Sequence, residues 1–168
     1  MTFTKRTYLV LLLLVAAWCV GFFLAPMLST TAPGVSAGLY ACYEPICHQL
    51  DGRSFHVEEG KFAVCARCTS IYLGFFLALI AYPFLRRLDE ISVPSRMWIL
   101  LAVVPMGVDV ALSFLGIHSS TFVTRAVSGG LFGFIMPWFV VPVFIEAVSQ
   151  LRDQFSSRGG LFYARKAQ

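Results

Sequence analysis

The chain has 168 residues, of which 58% are hydrophobic and only 13% charged, whereas about 25% of residues are charged in a typical soluble domain. That composition excludes an ordinary soluble enzyme and makes the lipid bilayer the first expected partner. The net charge of +4 comes with no basic patch interleaved with aromatics, so no nucleic-acid partner is expected.

Uncharged runs cover 7–28, 69–85 and 126–145, and a fourth run over 97–124 is interrupted by Asp109 alone. A helix crosses a bilayer with roughly 20 apolar residues. The pattern predicts an all-α polytopic membrane protein, a four-helix bundle in a single membrane domain, with helices at about 7–28, 65–85, 97–116 and 122–148. The first run follows Lys5 and Arg6, and Val35-Ser36-Ala37 resembles a signal-cleavage site. The run exceeds the about 7–15 residues of a signal core and the site lies too far beyond it, so the segment is read as a membrane helix. Cys19 follows the bulky Trp18 and reads as a buried small hydrophobe, not a lipoprotein cysteine.

Residues 29–64 form the predicted Cys-rich loop. Its first part, 29–41, has the Ser, Thr, Gly, Ala and Pro composition of loops and turns. Asp51-Gly52 is a turn signal, and Phe55 and Val57 against Phe62 and Val64 suggest a short hairpin around Glu58-Glu59-Gly60. The second helix is expected to start within 65–69, followed by a short charged connection over 86–96. His118, in the tight turn after the third helix, reads as a solvated loop residue. Pro137 and Pro142 predict kinks in the fourth helix, and Gly129 with Gly133 is a close-packing pattern. The tail 149–168 is basic and partly apolar, suited either to an anionic inner leaflet or to solvent.

Lysine and arginine placement sets the expected orientation. One side would hold Lys5, Arg6, Arg86, Arg87, Arg96, Arg152, Arg158, Arg165 and Lys166. The other would hold Arg53, Lys61 and Arg67, with Arg125 in the opening turns of the last helix. Both termini are therefore expected in the cytoplasm, the location is the cell (cytoplasmic) membrane, and the Cys-rich loop faces outward, where disulfides persist.

The chemistry concentrates in that loop, in Cys42 and Cys47 and in the C-x-x-C of Cys65 and Cys68. At the mouth of a helix, unpaired N–H groups, the dipole and Arg67 favour a thiolate, the species that attacks a disulfide. Cys65/Cys68 exchanging with Cys42/Cys47 would make a membrane-bound thiol–disulfide oxidoreductase, with a quinone as candidate acceptor and an extracytoplasmic thiol protein as candidate partner. The plan resembles, in architecture alone, quinone-linked thiol oxidases and the vitamin K epoxide reductase family. A second reading takes Cys47, His48, Cys65 and Cys68 as a Cys3His set suited to tetrahedral zinc. A third is a disulfide-stapled structural or assembly protein, for which four cysteines allow three connectivities. Asp109 and Arg125 lie inside apolar segments, where lone charges are costly, so they are expected to face the bundle interior and to pair. They would either fix helix register as a structural ion pair or form a polar floor, with His48, Gln49, Arg53 and Tyr72 lining the same cavity from above and, with Arg67, serving as substrate- or cofactor-binding candidates.

These residues carry a family resemblance. Cys47-His48-Gln49, Arg53-Ser54-Phe55, Cys65-Ala66-Arg67-Cys68, Ile71-Tyr72-x-Gly74, Asp109, Arg125, Gly129 and Gly133 resemble the prokaryotic membrane proteins grouped as domain of unknown function 2085. The resemblance implies a small polytopic membrane protein and no assigned activity. This chain departs from the pattern at Asp109-Val110, where the family tends to Asp-Gly, and at Ser128-Gly129, where it tends to Thr-Gly. The family signature does not include Cys42, which weakens the two-pair relay and helps the metal set, while the thiol–disulfide oxidoreductase stays the leading expectation and the zinc site its alternative.

Overall fold

The structure, a computed structural model, describes residues 2–57, 60–90, 92–117 and 119–166, with side chains described up to residue 155. Glu58, Glu59 and His118 lie outside the described residues, as do the side chains of Arg158, Arg165 and Lys166. The elements in chain order are α1 (Phe3–Met27), α2 (Pro33–Tyr43), a single 3-10 turn at Asp51–Arg53, β1 (Ser54–Val57), β2 (Gly60–Cys65), α3 (Ala66–Leu85), α4 (Met97–Phe114), α5 (Phe122–Ile135) and α6 (Pro137–Lys166).

Four stretches are long and apolar enough to span a membrane: α1, α3, α4, and α5 together with the first part of α6 over Phe122–Phe155. The fourth breaks at Met136, where Pro137 opens α6, while Pro142 sits within α6. A proline at the first helical position costs no hydrogen bond because that N–H has no partner in any case. The outward faces keep residues such as Leu13, Leu14, Leu77, Leu101 and Val104 exposed. Apolar surface on that scale is stable against lipid and not against water.

Alternation of direction gathers the chain's polar chemistry at one end of the bundle. At the other end Tyr8 of α1 donates to the Leu79 carbonyl of α3, and Tyr82 stacks on Trp138 at 5.0 Å. The Arg152 guanidinium lies 4.3 Å over the Phe3 ring, so the start of α1 and the distal part of α6 share that end.

The tightest contact is between α3 and α5. A Cβ on Gly74 would stand 2.5 Å from the Gly130 carbonyl oxygen, one on Gly129 would stand 2.7 Å from the Arg67 carbonyl oxygen, and one on Gly133 would collide with the Ile71 backbone. These glycines bring the two backbones together, as the Gly129 and Gly133 spacing suggests. α4 packs chiefly on α5, and Ala102 is its one buried residue among those described.

The connection between α1 and α3 departs from its composition. Residues 33–43 form α2, although the surrounding sequence reads as loop. Pro33 pre-sets the first turn, Ser36 donates to the Ala25 carbonyl at 2.6 Å, and the buried Tyr43 donates to the Trp18 carbonyl at 2.6 Å. Docking on α1 outweighs weak local propensity. The hairpin forms as the alternation predicts, with Ser54 paired to Cys65 and His56 to Lys61 across a bulge.

Candidate functional site

The hairpin register does the first positioning. Pairing Ser54 with Cys65 carries Arg53, on the turn just before β1, over the mouth of α3. Cys65 ends β2 and is the residue immediately before α3, so Cys68 falls in the first turn of that helix. Cys47 follows α2 and is buried in the cluster of Cys19, Phe22, Ala25, Tyr43, Ala63 and Val64. The loop after it is fixed by Gln49, which adopts φ 48°. Its side-chain amide donates to the Tyr40 carbonyl at 2.7 Å, and its own carbonyl accepts from Lys61 Nζ at 2.7 Å. A left-handed non-glycine backbone costs about 1–3 kcal/mol and persists only where its surroundings hold it. These bonds fix the chain just beyond Cys47.

The outcome is a three-sulfur cluster. The Sγ atoms of Cys47, Cys65 and Cys68 all lie within 4.8 Å of one another. The Cys65 backbone N–H donates to Cys47 Sγ at 3.1 Å, which ties the end of the α2 connection to the mouth of α3. The Cys47 thiol, and after it the Cys68 thiol, hydrogen-bond to the Cys65 sulfur and hold its pKa far below the usual thiol range, against the opposing effect of burial. All five cysteines are free thiols. Cys42 is exposed on α2 and is not a member of the cluster, and Cys19 is buried with its thiol toward the Tyr72 carbonyl at 3.7 Å.

The sulfurs open on a cavity of about 320 Å³ whose lining includes His48, Gln49, Arg53, Arg67 and Arg125. The structure thus brings together eight of the residues singled out in the sequence. His48 is exposed, and its ring is not among the converged ligand atoms. Gln49 lines the cavity with its amide already committed to Tyr40. Tyr72 is not in the lining; it packs beneath the cluster against Trp18 and Phe22, with ring centroids 6.0 and 6.1 Å away.

The expected pairing of Asp109 with Arg125 is corrected. Asp109 pairs with Arg67, at side-chain exposures of 9% and 21%. Ser120 donates to the same carboxylate at 2.9 Å, and Arg125 Nε donates to Ser120 Oγ at 3.1 Å. Arg67 wins because it sits in the first turn of α3, facing the last turns of α4. Arg125 reaches the carboxylate only through the serine. Ser120 and Ser113 were not singled out in the sequence. Ser113 had a signal, since it lies four residues after Asp109 and so on the same helical face.

The sequence pattern of the family described as "Predicted membrane protein (DUF2085)" matches residues 47–139, the segment that holds every charged residue of this site. An uncharacterized protein of Methanocaldococcus jannaschii is 34% identical over 150 residues, 86% of this chain and 96% of that protein. An uncharacterized protein of Methanothermobacter thermautotrophicus is 34% identical over 84 residues, 50% of this chain and 74% of that protein. No solved structure matches the chain.

Proposed function

Since this chain belongs to that family of multi-helix membrane proteins, and since three sulfurs converge at one end of its bundle, we propose that it is a metal-binding membrane protein. Cys47, Cys65 and Cys68 would hold a zinc-like divalent ion, with His48 as the fourth ligand. The observation that carries this reading is the mutual approach of three sulfurs from two separate segments. A disulfide uses two sulfurs and leaves a third beside it, whereas a thiophilic cation uses all three. Tetrahedral bonds of about 2.3 Å place sulfurs about 3.8 Å apart, so the cluster would contract by up to about 1 Å on loading. His48 adjoins Cys47 and lines the same cavity, which makes it the candidate for the fourth position. A loaded site would tie the end of α2, the hairpin and α3 together.

The charge distribution supports placing this site on the outer face of the cell membrane as a single membrane domain with both ends of the chain cytoplasmic. Lys5, Arg6, Arg86, Arg87, Arg96 and Arg152 belong to the opposite end of the bundle.

Metal content tests the reading. Protein purified without chelators should carry near-stoichiometric metal, lost on Cys47→Ser, Cys65→Ser or Cys68→Ser and kept on Cys42→Ser. Metal-free wild-type protein, or metal indifferent to all three substitutions, would sink it.

A second reading is a thiol–disulfide oxidoreductase. It is favoured by the C-x-x-C at the mouth of α3 and the depressed Cys65 pKa. Two thiols would yield a disulfide, two electrons and two protons to an acceptor such as a quinone. With Cys42 outside the cluster, exchange would pass first through Cys47. Alkylation after treatment with a quinone separates the two: this reading requires Cys65 and Cys68 to become protected and to be released again by a dithiol.

A further inference from the structure

Beside the sulfur cluster lies a second cavity of about 320 Å³, and its lining contains no cysteine. It sits where the start of α3, the end of α4 and the start of α5 meet. Arg53, Arg67 and Arg125 all line it, together with Ser113 and Ser120. Among the described residues the one carboxylate in contact with these arginines is Asp109, which neutralises one charge of three. Arg125 spends Nε on the neutral Ser120, and the exposed Arg53 side chain has no partner among the described residues. Among the described residues, Arg67 Nε and Ser113 Oγ are buried without any acceptor. Buried donors without acceptors cost about 1–3 kcal/mol each, more when charged, and here they lie at a cavity rather than in packed core. The starts of α3 and α5 add their positive dipole ends to the same place.

Three guanidinium groups from three separate elements, two of them without a carboxylate partner, with unpaired donors between them, match a tetrahedral oxyanion with several acceptor oxygens. We propose that this cavity binds a phosphate group, supplied either by a lipid headgroup or by a soluble phosphate. The cavity is also lined by Phe114, 91% exposed on the lipid-facing α4, which gives a headgroup a route in from the bilayer. The site does not depend on the metal reading, because the hairpin pairing and the ion pair place its arginines and the cavity lining excludes the sulfurs.

The test has two arms on the full-length protein. Equilibrium dialysis in detergent measures binding of inorganic phosphate. Reconstitution into bilayers of equal phosphatidylglycerol and phosphatidylcholine, followed by extraction and native mass spectrometry, measures retained phosphatidylglycerol. Each arm is repeated with Arg53→Gln and Arg125→Gln, and Arg125→Lys keeps the charge should the glutamine variant fold poorly. Each lost guanidinium should weaken binding about tenfold or more, while the lysine variant retains much of it. Binding in the first arm alone assigns a soluble phosphate, and in the second alone a headgroup. No binding in either arm by the wild type, or binding that both glutamine variants leave within about twofold, overturns the proposal. Metal content measured on the same wild-type samples keeps the two readings apart: metal-loaded protein that binds no phosphate overturns this proposal alone, and metal-free protein that binds phosphate overturns the metal reading alone.

Discussion

Asp109→Leu should be the most destabilising single change at this end of the bundle. The Asp109 carboxylate accepts from Arg67 and from Ser120, whose hydroxyl in turn takes Arg125 Nε. Hydrogen bonds to a charged group are worth about 1.5–3 kcal/mol each, and breaking a buried ion pair by removing one partner costs about 3–5 kcal/mol. Two such bonds sum to about 3–6 kcal/mol, and the two routes overlap at about 3–5 kcal/mol, mostly the penalty of stranding Arg67 at 21% exposure. The pair also ties α3 to α4, which otherwise rests chiefly on α5. For a chain of this length each kcal/mol moves the melting temperature by about 2–4 °C, so the loss should be roughly 6–20 °C. Thermal scanning fluorimetry in one detergent at one scan rate reads it. The companion Arg67→Met/Asp109→Leu removes both charges and should recover most of the loss, because an apolar pair of similar volume is often neutral or better. A shift under about 2 °C for the single variant, or a double variant no better than the single, would refute this reasoning.

Three further outcomes are expected. Gly74→Ala puts a methyl group 2.5 Å from the Gly130 carbonyl oxygen and should lower stability by about 1–3 kcal/mol, whereas Gly38→Ala, with nothing within 4 Å, should be neutral or slightly stabilising, both read from the same melting curves. Cys42→Ser should leave metal content and melting temperature unchanged, while Cys47→Ser, which removes a proposed ligand sulfur and replaces the atom that accepts from the Cys65 amide with a shorter-reaching oxygen, should lower both. A membrane-impermeant maleimide should label the exposed Cys42 in intact cells. Labelling only after lysis would reverse the proposed orientation.

The four spans were legible because the absence of charge over some 20 residues is a local property that needs no partner to interpret. The hairpin was legible for the same reason, since alternating Phe55, Val57, Phe62 and Val64 show their period in sequence. α2 was not legible. Pro33, Gly34 and Gly38 suggest loop, and what holds the helix is Ser36 and Tyr43 bonding to carbonyls of α1. The partner of Asp109 was also hidden, because spacing along a chain does not say which helix end will face it. Arg67 entered the sequence reading as a neighbour of the cysteines, and only the packing of α3 beside α4 and α5 turns it toward Asp109. The cysteines divide in the same way. Their residue types marked the site, but that Cys47 joins Cys65 and Cys68 while Cys42 stays outside is a consequence of α2 ending at Tyr43.

X-ray absorption at the zinc edge on protein purified without chelators speaks most directly to what the three sulfurs do. Metal held by Cys47, Cys65, Cys68 and His48 should show three sulfur neighbours at about 2.3 Å and one nitrogen at about 2.0–2.1 Å. Metal-free protein whose sulfur spectrum shows a bond of about 2.05 Å between two sulfurs would contradict it.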